Sequence, residues 1–203
     1  MRTDKVIFRT ILTTLAAILV LFGGMLLLLC FVFPTTMMQI TYGLGMNKAS
    51  LRYAERAYER TDNVYYAAFA TEVAVDIESN TDIEKYGLLL IGDDEFAEYC
   101  DIRNEGIASD ISMTYQDYVY GQVTLALYNQ NKKAEAIVTA TSSVNGKFPK
   151  NNAMVILFLT AIKAEDTETV RAVDAVMGQM QETLEETSAD YQYISDMRSL
   201  LNG

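Results

Sequence analysis

Residues 11–33 read ILTTLAAILVLFGGMLLLLCFVF, an uncharged stretch that determines how the rest of the chain is organised. It lies inside a longer gap, because no charged residue occurs between Arg9 and Lys48. A helix of these 23 residues is about 34 Å long, enough to cross a hydrocarbon core of roughly 30 Å. Pro34 ends the run, since proline is poorly tolerated inside a helix. We therefore predict a transmembrane helix over residues 10–34.

Two cleaved alternatives fit this stretch less well than an uncleaved signal anchor. A secretory signal peptide has a shorter apolar region, of roughly 7–15 residues, followed by small residues at the cleavage site. Here the segment 31–34 reads FVFP, which is a poor cleavage site. A lipoprotein signal has a small residue before its cysteine, whereas three leucines precede Cys30. We expect Cys30 to be a small apolar residue within the bilayer.

The charges on the two sides of the stretch predict its orientation. The N-terminal side carries Arg2, Lys5, Arg9 and the terminal amine against one acid, Asp4. The remainder of the chain carries 13 basic and 26 acidic residues. Lys and Arg are retained on the cytoplasmic side of a membrane. We predict a single-pass cell-membrane protein with residues 1–9 in the cytoplasm and the C-terminal domain extracytoplasmic.

Composition excludes several classes of chemistry within this chain of 203 residues. It has no His, so His-dependent catalysis and His-ligated metal sites are excluded. A net charge of −11 makes it a poor nucleic-acid binder, because such binding depends on neutralising phosphates. Cys30 is predicted to lie in the bilayer and Cys100 in the outer domain, so the two cannot form a disulfide. Cys100 is expected to be a buried thiol. We predict no cofactor, no metal site and no catalytic residue.

Beyond a membrane-proximal linker at residues 35–46, the domain at residues 47–203 is predicted to be all-α. Apolar residues recur at intervals of three and four, as in Tyr65, Phe69, Val73 and Ile77, and no strand alternation occurs. The run at 153–162 is too short to span a membrane and is predicted to be the most buried helix. Short polar clusters separate helices near 47–60, 63–78, 82–91, 94–104, 111–129, 132–144, 151–164, 168–185 and 189–201.

Several residues at these clusters have the chemistry of helix caps. The expected N-caps are Asp62, Thr81, Asp93, Asp110 and Thr167, because short polar side chains accept hydrogen bonds from the first free backbone amides. Thr81 and Glu84 have the spacing of a capping box. Gly106 and Gly146 are expected to end helices.

The helices are expected to pair as four hairpins with turns near 62, 93, 131 and 166, followed by a capping helix at 189–201. The spacing of these turns is in the mid-thirties, as in helical repeats. Leu125 and Ala134 lie nine positions apart across one turn, Ala140 continues the small face, and Pro149 follows. In these features the domain resembles the tetratricopeptide repeat family, which implies a stack of helical hairpins. An irregular helical bundle is the alternative fold, because both bury the same amphipathic faces.

The candidate partner-contact residues are two tyrosines and three acids. Tyr66 and Tyr120 lie off the apolar stripes of their helices, whereas Tyr115 and Tyr118 follow a stripe and are expected to pack in the core. Asp94, Glu98 and Asp101 are spaced to share one face of a helix, and this face is expected to be solvated.

These features predict a noncatalytic scaffold that binds protein or peptide partners with basic surfaces. The resemblance further implies a role like that of ancillary subunits in bacterial secretion or envelope assembly. Two alternatives stay open. One is a cell-wall glycan hydrolase that uses carboxylates, which requires two suitably spaced carboxyl groups, one with a raised pKa. The other is a structural subunit of a membrane complex that acts mainly through its span.

Overall fold

The computed structural model describes residues 2–105, 113–144 and 152–201, and every regular element in these ranges is a helix. The all-α prediction is thereby confirmed for the described residues. The chain forms two compact units, Met1–Asp62 and Asn63–Gly203. The helices are α1 (Arg2–Val32), α2 (Pro34–Gly43), α3 (Asn47–Thr61), α4 (Val64–Asp76), α5 (Asn80–Ile91), α6 (Phe96–Asn104), α7 (Tyr115–Asn129), α8 (Lys133–Ser142), α9 (Ala153–Lys163), α10 (Thr167–Glu182) and α11 (Ala189–Ser199).

In the first unit, α1 is a helix that is long and apolar enough to cross a membrane. From Ile7 onward its described side chains are exposed, and the large apolar ones are between 49% and 75% exposed. Protein therefore does not cover this surface within the structure. The side chain of Cys30 lies outside the described part of the chain.

The segment predicted as a linker at residues 35–46 is largely helical. Pro34 occupies the first turn of α2, where its missing N–H group costs nothing. Met37 and Met38 are buried, as are Leu51 and Ala54 of α3, and α2 packs on α3. The unit boundary falls at Asp62, so α3 belongs with α1 and α2 and not with the later helices.

The second unit places each helix against a few near neighbours along the chain. The helices α7 and α8 pack together, α9 and α10 pack together, and α9 also contacts α7 and α8. The predicted capping helix corresponds to α11, which packs on α10. The predicted pairing of residues 82–91 with 94–104 is not observed, because α6 packs mainly on α7 and also contacts α4. Phe96 explains this placement, since its ring meets Tyr120 of α7.

The helix α9 contributes large side chains to the core of the second unit and packs on α7, α8 and α10. Met154, Leu157 and Phe158 are 0% exposed, and Ala153 and Ala161 are buried as well. The prediction that this apolar run is a buried helix is confirmed. At about 25 cal/mol per Å² of apolar surface, burying such side chains is the main force that holds the unit together.

Of the predicted apolar stripe of α4, Val73 is buried, whereas Tyr65 and Phe69 are not part of the buried face. The buried residues are smaller, namely Val64, Ala67, Ala68, Ala70, Thr71, Val73 and Ala74. Tyr65 is 45% exposed and Phe69 is half-buried, so both lie towards the surface. The alanines permit close approach of α5, and the aromatic side chains are displaced outward.

The predicted N-caps are mostly displaced by one or a few residues. The side chains of Asn63, Thr114, Asn152, Asp166 and Ser188 accept the capping hydrogen bonds. Asp62 instead ends α3 in the left-handed conformation (φ 52°), and Asp166 replaces Thr167. The capping box is formed by Thr114 and Asp117, whereas Thr81 lies within α5. The predictions for Gly106, Asp110, Gly146 and Pro149 fall outside the described residues.

Two structural features recur at an interval of 34 residues. Asn131 and Glu165 both have a positive φ in the turns that follow α7 and α9, and each is followed by an amide that bonds back to the preceding helix. Gly87 and Gly121 are also 34 residues apart, and each faces the next long helix. A Cβ atom at Gly87 would lie 2.2 Å from Val123 Cγ2. These recurrences are compatible with a helical-repeat fold.

Candidate interaction surface

Aromatic side chains from three helices form one partly exposed surface on the second unit. We call it the tyrosine surface, and its members are Tyr65, Tyr66 and Phe69 of α4, Tyr99 of α6, and Tyr115 and Tyr118 of α7. The ring centroids of Tyr65 and Tyr66 are 5.5 Å apart, and those of Tyr99 and Tyr115 are 5.7 Å apart. The rings of Tyr115 and Tyr118 are 6.0 Å apart. Such distances are typical of attractive aromatic pairs.

An ion pair and a hydrogen bond that share Glu72 connect the three helices at this surface. Arg103 Nη2 of α6 donates to Glu72 Oε1 of α4 at 2.8 Å, and the Tyr115 hydroxyl donates to the same oxygen at 2.9 Å. The Arg103 guanidinium also lies 4.8 Å above the centre of the Tyr115 ring. Glu72 is 36% exposed and Arg103 is 45% exposed, so solvent screens the pair and its main contribution is positional.

Three hydroxyl groups of this surface, those of Tyr99, Tyr115 and Tyr118, stay protonated. Burial raises the pKa of Tyr115, and the neighbouring Glu72 charge raises it further. Burial also raises the pKa of Tyr99, while the Arg103 charge opposes the shift and Glu72 and Tyr65 add to it. Burial likewise raises the pKa of Tyr118. These groups therefore act as neutral hydrogen-bonding side chains.

The start of α7 is fixed to the end of α6 by a direct hydrogen bond. The Tyr115 amide donates to Asn104 Oδ1 at 2.9 Å. Thr114 and Asp117 complete the first turn of α7, because the Thr114 hydroxyl donates to Asp117 Oδ2 at 2.6 Å. Asp117 is 5% exposed, and its carboxylate is used within this turn. The local hydrogen bonds therefore hold Tyr115 and Tyr118 in place.

The structure locates the sequence-predicted contact residues in two groups. Tyr66 is half-buried within the tyrosine surface, whereas Tyr120 is half-buried against Phe96 at a centroid distance of 6.2 Å. Asp94, Glu98 and Asp101 are exposed. Because α6 begins at Phe96, Asp94 lies in the preceding turn, and Glu98 and Asp101 lie within the helix.

Sequence reasoning missed most of the tyrosine surface. It placed Tyr65 on the apolar stripe of its helix, and it assigned Glu72, Tyr99 and Arg103 to no interaction surface. Glu72 is 31 residues from Arg103 and 43 residues from Tyr115, so no local pattern connects them. The prediction that Tyr115 is buried is confirmed at 9% exposure, while Tyr118 is half-buried.

A second polar cluster connects α7, α8 and α10. Asp166 Oδ2 lies 2.7 Å from Lys133 Nζ and accepts hydrogen bonds from the hydroxyl groups of Thr169 and Tyr128. The hydrogen bond from Lys133, followed by that from Thr169, lowers the pKa of Asp166 well below its ordinary range. This carboxylate is therefore a structural N-cap that also joins neighbouring helices.

A shallow polar cavity of about 380 Å³ lies between α10 and α11. Its wall includes Arg198, whose guanidinium donates to Asp174 Oδ1 at 2.7 Å and to Gln181 Oε1 at 2.9 Å. The same guanidinium lies 3.2 Å from the position that a Cβ atom would occupy at Gly178. The donors of Arg198 are thus used to join the two helices.

Cys100 is 2% exposed, which confirms that its thiol is buried. Burial, together with the charges of Asp101 and Asp117, raises its pKa to about 12, so the reactive thiolate is absent near neutral pH. Among the described residues, no group of three or more Cys, Asp or Glu side chains is arranged to hold a metal ion.

We compared the chain with protein-family models, curated proteins and solved structures. No protein-family model matches the chain, and neither the curated proteins nor the solved structures contain a significantly similar one. No relative therefore confirms the resemblance to tetratricopeptide repeats, and the structure is compatible with a helical-repeat fold through its packed helices and 34-residue recurrences.

Proposed function

We propose that this protein is a membrane-anchored, noncatalytic interaction module. In this proposal α1 holds the chain in the cell membrane, and the second unit binds a protein or peptide partner outside the cytoplasm. The observation that carries the proposal is the tyrosine surface. Tyrosine and arginine are enriched where binding energy concentrates in protein interfaces, because they offer large area and hydrogen bonding at small entropic cost.

The membrane anchor is supported by the length and exposure of α1. Ile7–Met25 is uncharged except for Arg9, and none of it is buried in the structure. The orientation rests on Arg2, Lys5, Arg9 and the terminal amine at one end. Lys48 and Arg52 are the basic residues within about 20 residues of the other end.

The charge of the second unit supports a basic partner. Residues 63–203 contain 9 basic and 23 acidic side chains. Glu98 and Asp101 are exposed on α6, the helix that also contributes Tyr99 and Arg103 to the tyrosine surface. Complementary charge steers association and makes it sensitive to salt. A partner with exposed Lys or Arg beside an apolar anchor fits this combination.

The helical-repeat architecture is also part of the proposal. Stacked helical hairpins of the tetratricopeptide type bind partners through extended surfaces. The recurring positive-φ turns at Asn131 and Glu165 and the recurring glycines at 87 and 121 support this assignment. A role in a bacterial secretion or envelope complex follows only by analogy with proteins of similar layout.

The hydrolase alternative receives no support from the positions of the acids. It requires two carboxyl groups facing a cleft, with one pKa raised by burial. Among the described carboxylates, Asp117 is the buried one, and its oxygen is engaged by Thr114. The proposal for a subunit that acts mainly through its span predicts that a chain lacking residues 1–46 captures no partner.

The proposed function is tested by crosslinking native membranes and capturing the full-length chain. A triple variant D94N/E98Q/D101N removes three exposed charges from the α6 region, and E182Q/E185Q/E186Q removes three exposed charges elsewhere as a matched control. We expect a specific partner with the wild-type chain, at least fivefold less with the first variant and little change with the second. The absence of any specific partner would refute the interaction module, and equal loss in both variants would refute the acidic contact.

A further inference from the structure

The helix α3 carries a row of basic side chains that the proposed partner surface does not use. Lys48, Arg52, Arg56 and Arg60 follow one another at intervals of four residues, and all four are exposed. This spacing places them on one side of the helix. Glu55 and Glu59 lie three positions after Arg52 and Arg56, about 60° around the helix, so this side of α3 carries four basic and two acidic side chains and a net positive charge.

The opposite side of α3 is held by protein contacts. Leu51 is 3% exposed, Ala54 and Ala57 are 0% exposed, and this face packs on α2. The helix therefore cannot rotate to bury its basic row without losing its apolar contacts. The four charges are directed to the surface by the fold of the first unit.

Two contacts place the C-terminal half of α3 beside the end of α1. The Arg56 guanidinium carbon lies 5.6 Å from the centre of the Phe31 ring and 5.7 Å from the centre of the Tyr53 ring. Arg60 Nη1 donates to the carbonyl oxygen of Val32 at 3.2 Å. That carbonyl is one of the last of α1 and has no partner within its own helix. Arg60 therefore supplies the missing hydrogen bond.

Phe31 and Val32 also lie at the end of the apolar run, just before its last residue, Phe33. If α1 crosses a bilayer, they mark the edge of the hydrocarbon region, and the lipid phosphates lie directly beyond it. Arginine at this level keeps its stem on apolar surface and its guanidinium in the polar layer. A guanidinium also matches the geometry of a phosphate better than an ammonium group does.

We infer that the basic row of α3 binds the phosphate groups of anionic phospholipids in the leaflet at the C-terminal end of α1. The inference depends on the membrane anchor in the proposed function, but not on the partner surface. It assigns α3 a role of its own, which is to hold the first unit against the membrane surface through charge.

The geometry predicts a gradient along the row. Four residues advance a helix by about 6 Å, so Arg52 and Lys48 lie about 6 and 12 Å further along α3 than Arg56. Attraction to an anionic surface falls off within a Debye length, which is about 10 Å at 0.1 M salt. Arg56 and Arg60 should therefore contribute most, Arg52 less and Lys48 least.

The test uses the full-length chain in nanodiscs made either of phosphatidylcholine alone or of a mixture with one-quarter phosphatidylglycerol. Hydrogen–deuterium exchange is measured for the amides of residues 48–61. We expect about fivefold slower exchange in the anionic discs at low salt, with the difference lost at 0.5 M salt. R56Q/R60Q should abolish the difference, and K48Q/R52Q should reduce it without altering the contacts to Phe31 and Val32.

The controls separate this inference from its premises. R171Q changes an exposed arginine of α10 and should leave the lipid dependence unchanged. R56K/R60K keeps the charge and should retain most of the effect. Equal exchange rates in both lipid mixtures, with the chain incorporated, would overturn lipid binding by α3. Soluble polyglutamate is added to the chain in neutral discs. If it slows exchange as much as anionic discs do, the ligand of α3 is an acidic protein, and lipid binding is overturned. Failure of the chain to enter either disc would contradict the membrane anchor itself.

Discussion

The apolar helices α1 and α9 have similar side chains but opposite surroundings. From Ile7 onward, the described side chains of α1 are exposed, whereas Met154, Leu157 and Phe158 of α9 are fully buried. The difference is one of length, because α1 has 31 residues and α9 has 11. A helix of 11 residues is about 17 Å long and cannot cross a bilayer, so its apolar surface requires a protein core.

The two units that contain these helices also differ in charge. Residues 1–62 carry 7 basic and 4 acidic side chains, whereas residues 63–203 carry 9 basic and 23 acidic ones. The overall value of −11 therefore averages a basic unit and a strongly acidic unit. This separation is what the proposed roles require, since anionic lipid attracts the first unit and a basic partner attracts the second.

The largest expected effect distinguishes a core side chain from its exposed neighbour. Replacement of Phe158 by Ala removes a fully buried ring and should lower the free energy of unfolding of the second unit by about 3–5 kcal/mol. Leu159 is 43% exposed, and L159A should cost less than about 1 kcal/mol. Hydrogen exchange of α7 and α9 amides in detergent measures the loss of unfolding free energy in each variant. Equal losses in F158A and L159A would contradict the burial of Phe158 in α9.

A charge in α1 should weaken membrane anchoring and leave the stability of the second unit unchanged. Leu19 is 64% exposed within the apolar helix, and an arginine near the centre of a span costs about 2.5–3.5 kcal/mol. We expect L19R to lose resistance to alkaline extraction from membranes while the second unit retains its stability. L19A is the size control and should remain in the membrane pellet. Retention of L19R in that pellet would contradict the anchor.

Close helix packing in the second unit gives a third test. An added methyl group at Gly87 would overlap Val123, so G87A should cost about 1–3 kcal/mol. Nothing lies within 4 Å of the corresponding position at Gly23 in α1, and G23A should leave the stability of the second unit unchanged. The double variant G87A/V123A should be more stable than the sum of the single effects predicts. If the stability losses of G87A and V123A simply add in the double variant, Gly87 and Val123 are not in contact.

The smallest expected effect depends on pH. Hydrogen bonds to Asp166 lower its pKa in the folded state, so its stabilising contribution is present above the unfolded pKa of about 3.9 and is lost as the pH falls below it. D166N keeps a capping oxygen but loses the charge, and D166A also loses the cap, which costs about 1 kcal/mol. The stability difference between wild type and D166N should shrink between about pH 5 and pH 3. A difference that stays constant over this range would show that the charge of Asp166 does not stabilise the fold.

Features that depend on local periodicity were predictable from the sequence. The helix boundaries from α3 onward agree within a few residues, and the burial of α9 followed from its length and composition. Helix caps were less accurate, because adjacent polar residues such as Asp166 and Thr167 are chemically equivalent candidates. Tertiary geometry selects Asp166, which also reaches Lys133 and Tyr128.

The tyrosine surface and the basic row of α3 escaped prediction for different reasons. The surface depends on Glu72 and Arg103, whose approach is decided by helix packing over 31 residues. The small side chains of α4 also proved to be its buried face, which hydrophobicity alone does not indicate. The charges of α3 were visible in the sequence, but their position beside Phe31 and Val32 required the fold.

The most direct test of the central proposal is site-specific photocrosslinking in native membranes. A benzoylphenylalanine replaces Tyr65, which is 45% exposed on the tyrosine surface, or Val138, which is 65% exposed on α8. We expect a discrete protein adduct from position 65 that weakens with R103E, and none from position 138. Adducts that are identical at both positions, or absent from position 65 when the chain is folded and membrane-bound, would contradict the proposal.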